Sequence, residues 1–163
     1  MAVTLPQSDL EGRPKHYLEG FRTRHGLEEA SVEGNVVRLV VEPDIVPAVL
    51  ATAREHFKIM HLSFITVVDR EESFELTYEL LDLRGVIVRV KTTMESEEPV
   101  IDSVTGIYPT ANWHEREAYD MFGVAFKGHP DLRRVYMWQD HFDHHPLLKS
   151  FEINTRRTFE GLR

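Results

Sequence analysis

Between Phe74 and Val90 the chain twice alternates apolar with polar residues, and this constrains its fold more than any other stretch. Phe74, Leu76, Tyr78 and Leu80 are interleaved with Glu75, Thr77 and Glu79. After a turn at Leu83-Arg84-Gly85, Val86, Val88 and Val90 alternate again. Successive side chains on a strand point to opposite faces, so a period of two predicts strands with one face buried and one wet.

The flanking segments carry other periods. Residues 1–12 are polar and contain a proline, and are expected to be loose. Tyr17, Leu18 and Phe21 have the one-face spacing of a helix between Pro14 and His25, and Gly26 is a plausible stop. Val32 and the run Val36–Val41 flank Glu33-Gly34-Asn35, which reads as a hairpin turn. Asp44 is a candidate cap for a helix whose stripe is Ile45, Val46, Val49, Leu50, Ala53 and Phe57, with Pro47 tolerated in its first turn. The β-branched run Ile59–Val68 predicts a strand. Glu95–Pro99 reads as an acidic loop, and Val100–Pro109 has no clean period, a short turn of helix being one option. The expected fold is α+β: a mixed or antiparallel sheet with helices packed on one face, followed by an extended C-terminal segment. The expected division is a flexible N-terminus over 1–12, one α/β domain over 13–138 and a tail over 139–163. The tail scatters Phe142, Leu147, Leu148, Phe151, Ile153, Phe159 and Leu162 among charges, as expected of a segment that lies over a partner and orders on binding. Folding back on its own sheet is the other reading.

The densest chemistry lies between Asn112 and Met137, NWHEREAYDMFGVAFKGHPDLRRVYM. Thr110 or Asn112 can cap a helix running to about Phe122, with Gly123 ending it. Ala111, Ala118 and Phe122 fall on one side with Glu115 between them, while Arg116 and Asp120 are one turn apart. One reading is a surface helix with an Arg–Asp pair. The other is a partly buried carboxylate offset by Arg116, Arg133 or Arg134. On that second reading Glu115, Arg116, Glu117, Asp120, Arg133 and Arg134 form a charged network that fixes the loop Gly123–Pro130 and a strand expected to follow it. His129 reads as a turn residue or as a partner for Asp120 or Glu117. Gly123 and Gly128 are expected where φ is positive or a Cβ would clash. His114-Glu115-Arg116-Glu117-Ala118 begins like a zinc-protease helix but lacks the second histidine. His141, Asp143, His144 and His145 could hold a metal, but the preferred reading is a polar loop.

Composition excludes several classes. A net charge of −8 argues against nucleic acid or anionic lipid as the main partner. Without cysteine there is no thiolate for an iron–sulfur cluster, and no Gly-rich phosphate loop follows a strand. No stretch is apolar enough to span a bilayer, and the first residues lack the pattern of a signal peptide. The chain is therefore expected in the cytosol, reaching a membrane only through another protein.

Glu115-Arg116-Glu117, Asp120-Met121-Phe122-Gly123, Phe126, Gly128-His129-Pro130, Leu132 and Arg134 resemble the signature of the C subunit of respiratory complex I, the NADH:quinone oxidoreductase. His145-Pro146-Leu147, Lys149 and Phe151 resemble the family's later His-Pro-Leu-Arg-Lys-Asp-Phe segment. The resemblance is close from Trp113 to Phe151, with His144, Leu148 and Ser150 standing where the family usually has Gly, Arg and Asp. It implies a peripheral subunit, on the cytoplasmic side of the membrane, with no cofactor of its own. NADH, flavin, iron–sulfur clusters and quinone would belong to partner subunits. Its implied neighbours are a large subunit resembling that of [NiFe]-hydrogenases and a ferredoxin-like iron–sulfur subunit. Related proteins serve membrane-bound hydrogenases and oxidoreductases fed by ferredoxin or a deazaflavin, which is the alternative.

Overall fold

The computed structural model describes residues 12–138 and 144–152. The expected loose N-terminus, His141 and Asp143 of the histidine cluster, and the tail beyond Glu152 lie outside them.

The elements run α1 (Arg13–His25), β1 (Ala30–Glu33), β2 (Val36–Val40), α2 (Val46–Glu55), β3 (His61–Asp69), β4 (Ser73–Leu81), β5 (Ile87–Glu95), β6 (Val100–Asp102), α3 (Ala111–Phe122) and β7 (Ala125–Lys127). Five strands form one mixed sheet in the order β1-β2-β5-β4-β3, in which only β2 and β5 run parallel. The alternating stretches form its centre. Leu76 faces Thr92, Tyr78 faces Val90 and Leu80 faces Val88, all buried on one side. On the other side Glu79 binds Arg89 at 2.7 Å and Glu75 binds Lys91 at 2.8 Å. Cross-strand ion pairs of this kind suit a wet face and add little stability.

β3 begins at His61, two residues later than the β-branched run suggests, because Ile59 turns in from the loop and accepts a bond from Tyr108 Oη at 2.7 Å. An irregularity between Leu62 and Phe64 shifts the register there, so that Leu62, Ile65 and Val67 all reach the buried face. Asp44 does not cap α2. It sits in a turn of 3-10 helix, Pro43–Ile45, and Ile45 precedes the helix without a side-chain cap. The predicted stripe of α2 is otherwise the one buried, with Val46, Val49, Leu50 and Ala53 in the core. α1 lays Tyr17 and Phe21 against Phe57 at ring distances of 4.9 and 4.8 Å. A Cβ on Gly20 would come 2.4 Å from the Phe57 ring, so that packing requires glycine.

In the ambiguous stretch after Pro99, Val100–Asp102 form a strand, and the helical turn held open as an option follows it, with the Tyr108 N–H bonded to the Val104 carbonyl at 2.8 Å. β6 pairs in parallel with β7, matching Val100 to Ala125 and Asp102 to Lys127. α3 lies between these partners in sequence, so the small sheet ties its two ends together. One buried cluster runs from Tyr17 to Phe126.

Candidate functional site

α3 is amphipathic in an unusual sense, because its inward face carries charge. Ala111, Ala118 and Met121 are buried, and so are Glu115, Arg116 and Asp120. Ala118, Met121 and Phe122 line a cleft with Ile65 and Val67 of β3. Each buried charge is met by groups from the loops on either side of the helix.

Asp120 is fully buried. Its Oδ2 accepts three consecutive backbone N–H groups, from Val135 at 2.9 Å, Tyr136 at 2.7 Å and Met137 at 3.0 Å. Its Oδ1 accepts from Arg134 at 3.2 Å. Burial pushes this carboxyl up, but those three N–H groups and the guanidinium outweigh it and hold it below the usual range. The i,i+4 pair with Arg116 does not form. Arg116 instead donates to the carbonyls of Arg133 at 3.1 Å and Arg134 at 3.4 Å, and lies 4.9 Å over the Trp113 ring. Two opposite charges one turn apart thus both hold the segment 133–137 rather than each other.

Glu115 is also fully buried, and the offsetting arginine expected for it is absent among the described residues. Oε2 accepts from the Ser103 hydroxyl at 2.6 Å and Oε1 from the Val104 N–H at 2.8 Å. Burial raises its carboxyl to about 7 against the pull of these donors. His129 faces Glu115 at 4.0 Å, and not Asp120 or Glu117.

The expected network is therefore corrected to two separate clusters, with two residues outside both, and the strand expected after Pro130 is instead β7 before it, residues 131–138 being irregular backbone held by Asp120 and Arg116. Glu117 is exposed, and Arg133 pairs with Asp131 at the surface at 3.0 Å. Phe126 is buried on β7, and Phe122 sits half-buried with its ring 6.3 Å from Phe74. Pro130 is exposed in the turn after Gly128, whose φ is +82°. Gly123 has φ +81°, and a Cβ there would also meet the His145 ring at 2.9 Å. His145 Nδ1–H donates to the Asp120 carbonyl at 3.0 Å, and the Leu147 N–H donates to Met121 at 3.1 Å. Beyond Pro146, Lys149 reaches the β3–β4 turn: its N–H meets Asp69 at 2.8 Å and its ammonium meets Glu71 at 3.1 Å. Residues 144–152, within the tail expected to lie on a partner, thus rest against this chain's own domain.

Sequence reasoning missed Ser103 and Val104, which lay in the stretch without a period. It also passed over Trp113, Tyr136 and Trp138, which are 62%, 60% and 78% exposed. Three large aromatics beside the signature's arginines were the available signal. Among the described residues no group of three or more His, Cys, Asp and Glu is placed to hold a metal ion, and no helix is long and apolar enough to cross a membrane.

The family described as respiratory-chain NADH dehydrogenase, 30 Kd subunit, matches residues 39–157, well over half of the chain. This chain belongs to that family. The C subunit of the NADH-quinone oxidoreductase of Moorella thermoacetica is 39% identical over 124 residues, covering 74% of this chain and 83% of its own. Among solved structures, the trypsin-resistant fragment (1-134) of Nqo5 superposes with a TM-score of 0.60 at 30% identity, over 74% of this chain and 99% of the fragment. A chain of the membrane-bound sulfane sulfur reductase, an archaeal respiratory membrane complex, shares the fold with a TM-score of 0.76 at 22% identity, over 93% of this chain and 94% of that one. Within this member of the 30 kDa subunit family, the buried charges of α3 fix loops.

Proposed function

We propose that this chain is a structural subunit, without a cofactor of its own, in the peripheral arm of a proton-translocating NADH:quinone oxidoreductase. It scaffolds a hydrogenase-like large subunit at the quinone site and a ferredoxin-like iron–sulfur subunit. NADH, flavin, clusters and quinone stay with those and other partners. The chain sits on the cytoplasmic side of the membrane and touches it only through the complex.

The observation that carries this reading is the contrast between the two sides of the signature. Its buried charges are engaged by the chain's own backbone, while Trp113 stands outward against Arg116 and Tyr136 and Trp138 are exposed on the segment that follows Arg134. Exposed aromatics next to arginine are the composition of protein–protein hot spots. The charged clusters hold that surface in one shape, and the electron path runs through neighbouring chains.

The test is a tagged pull-down from native membranes in mild detergent, with partners identified by mass spectrometry. The reading expects a hydrogenase-like large subunit together with iron–sulfur subunits. NADH- and flavin-binding chains in the same fraction would mark a respiratory complex. Hydrogenase- or ferredoxin-linked partners would mark the alternative. Recovery of the chain alone would refute both. Trp138→Ala and the exposed Glu117→Ala test docking directly, and Arg116→Ala tests it through the fold. Each is expected to lower the yield of assembled complex before its turnover per complex changes. Normal assembly with lost turnover would contradict the scaffold role.

A further inference from the structure

Glu115 is as deeply buried as Asp120, but Asp120 has Arg134 beside it and Glu115 has no arginine or lysine among the described residues. Its carboxyl and the His129 ring both have side chains 0% exposed. No fixed cation faces it among the described residues. From β4 the nearest titratable group is Tyr78, itself buried. From the loop after β6 come the Ser103 hydroxyl and the Val104 N–H. On α3 itself Arg116 points away, to the carbonyls of Arg133 and Arg134. Beyond His129, Asp131 is held by Arg133 at the surface.

His129 clips the start of α3 to the turn Gly128–Asp131. Its Nδ1 accepts the Asp131 N–H at 3.0 Å, and its Nε2 lies 3.3 Å from the Asn112 carbonyl and 4.0 Å from Glu115, against the carboxyl but too far for a hydrogen bond to it.

We propose that Glu115 and His129 form a proton-gated latch between α3 and the turn Gly128–Asp131, closed while Glu115 holds a proton and loosened when that proton leaves. A protonated carboxyl can turn its O–H toward the Ser103 hydroxyl oxygen, which is able to accept, and keep the Val104 N–H on its other oxygen. Its carboxylate is a buried charge with no cation, relieved by opening to water. Opening on this side frees the His129 ring that holds the turn, and the turn leads into the surface bearing Tyr136 and Trp138.

The sign follows from linkage. Burial holds the carboxyl at about 7 when closed, against the ordinary 4.5 once it is exposed. The closed state then binds the proton more tightly, and opening becomes easier as pH rises. Those two values make the opening equilibrium about tenfold more favourable at pH 8.5 than at pH 6.

The test uses the full chain, with the Glu115 Cδ resonance followed by NMR and amide exchange across Gly128–Asp131 followed by mass spectrometry. Glu115 is expected to titrate near neutrality. Exchange, corrected for the intrinsic effect of pH, is expected to rise about tenfold over that interval. In Glu115→Gln, which keeps the shape but cannot ionise, the rise is expected to vanish. A Glu115 that titrates in the ordinary carboxylate range overturns the latch, and so does an unchanged rise in Glu115→Gln. If that variant does not fold, Ser103→Ala decides. Losing a donor to the carboxylate should move the Glu115 midpoint upward, and an unmoved midpoint overturns the proposal.

Discussion

Replacing Asp120 with alanine should be the most damaging single change in the signature. The side chain accepts four hydrogen bonds, three from the consecutive N–H groups of residues 135–137 and one from Arg134. Arg134 would be left 9% exposed, keeping among the described residues its bond to the His144 carbonyl. Removing one partner of a buried ion pair costs about 3–5 kcal/mol. The freed N–H groups belong to a segment that is only partly buried, so water can reach them and their added cost lies at the low end of about 1–3 kcal/mol. A total of about 5 kcal/mol is expected, which with a urea slope of about 2 kcal/mol/M lowers the midpoint by about 2.5 M. Asp120→Asn keeps an acceptor oxygen and should lose about half as much. The acid limb adds a check. Asp120 is held below the usual carboxylate range, so its stabilisation is present above that range and is lost as pH falls through its own lowered value. In Asp120→Ala that part of the acid loss should disappear. Urea titrations of the full chain measure both effects. A midpoint shift under about 0.5 M at constant slope would refute the claim that this carboxylate holds the segment.

Gly123→Ala is expected to cost about 2 kcal/mol from its left-handed backbone and its collision with His145. It should speed tryptic cleavage after Lys149, and unchanged cleavage would show that His145 does not wedge there. Tyr78→Phe should be neutral or stabilising by up to about 1 kcal/mol, because the buried Tyr78 hydroxyl has no hydrogen-bond partner among the described residues. A loss above about 1.5 kcal/mol would contradict that. Glu115 favours the fold most when protonated, so its contribution should fall by about 3 kcal/mol as pH rises from the ordinary carboxyl value of 4.5 to about 7. Thermal unfolding of Glu115→Gln beside the wild-type chain should show that slope lost.

The sheet was legible because its signal is local. A period of two in Phe74–Leu80 says which face is buried before any partner is known, and β4 and β5 pair with those residues on that face. The stripe of α2 was legible for the same reason. The strand β6 was not. Three residues carry too short a pattern, and its partner β7 lies on the far side of α3. The signature shows the same divide. Its sequence announced that carboxylates and arginines would meet, and helical spacing suggested Arg116 with Asp120. The tertiary structure instead gave Asp120 to Arg134 and three backbone N–H groups, and gave Glu115 to Ser103 and Val104.

By itself the sequence determined the α+β class, the buried faces of its longer elements and the family to which the chain belongs, because these rest on periodicity and on residue order. Only the tertiary structure decided what each buried charge touches. An acid can be satisfied by an arginine, a hydroxyl or a backbone N–H at nearly equal distance. Which of them arrives depends on how remote loops pack over α3, and no local pattern encodes that.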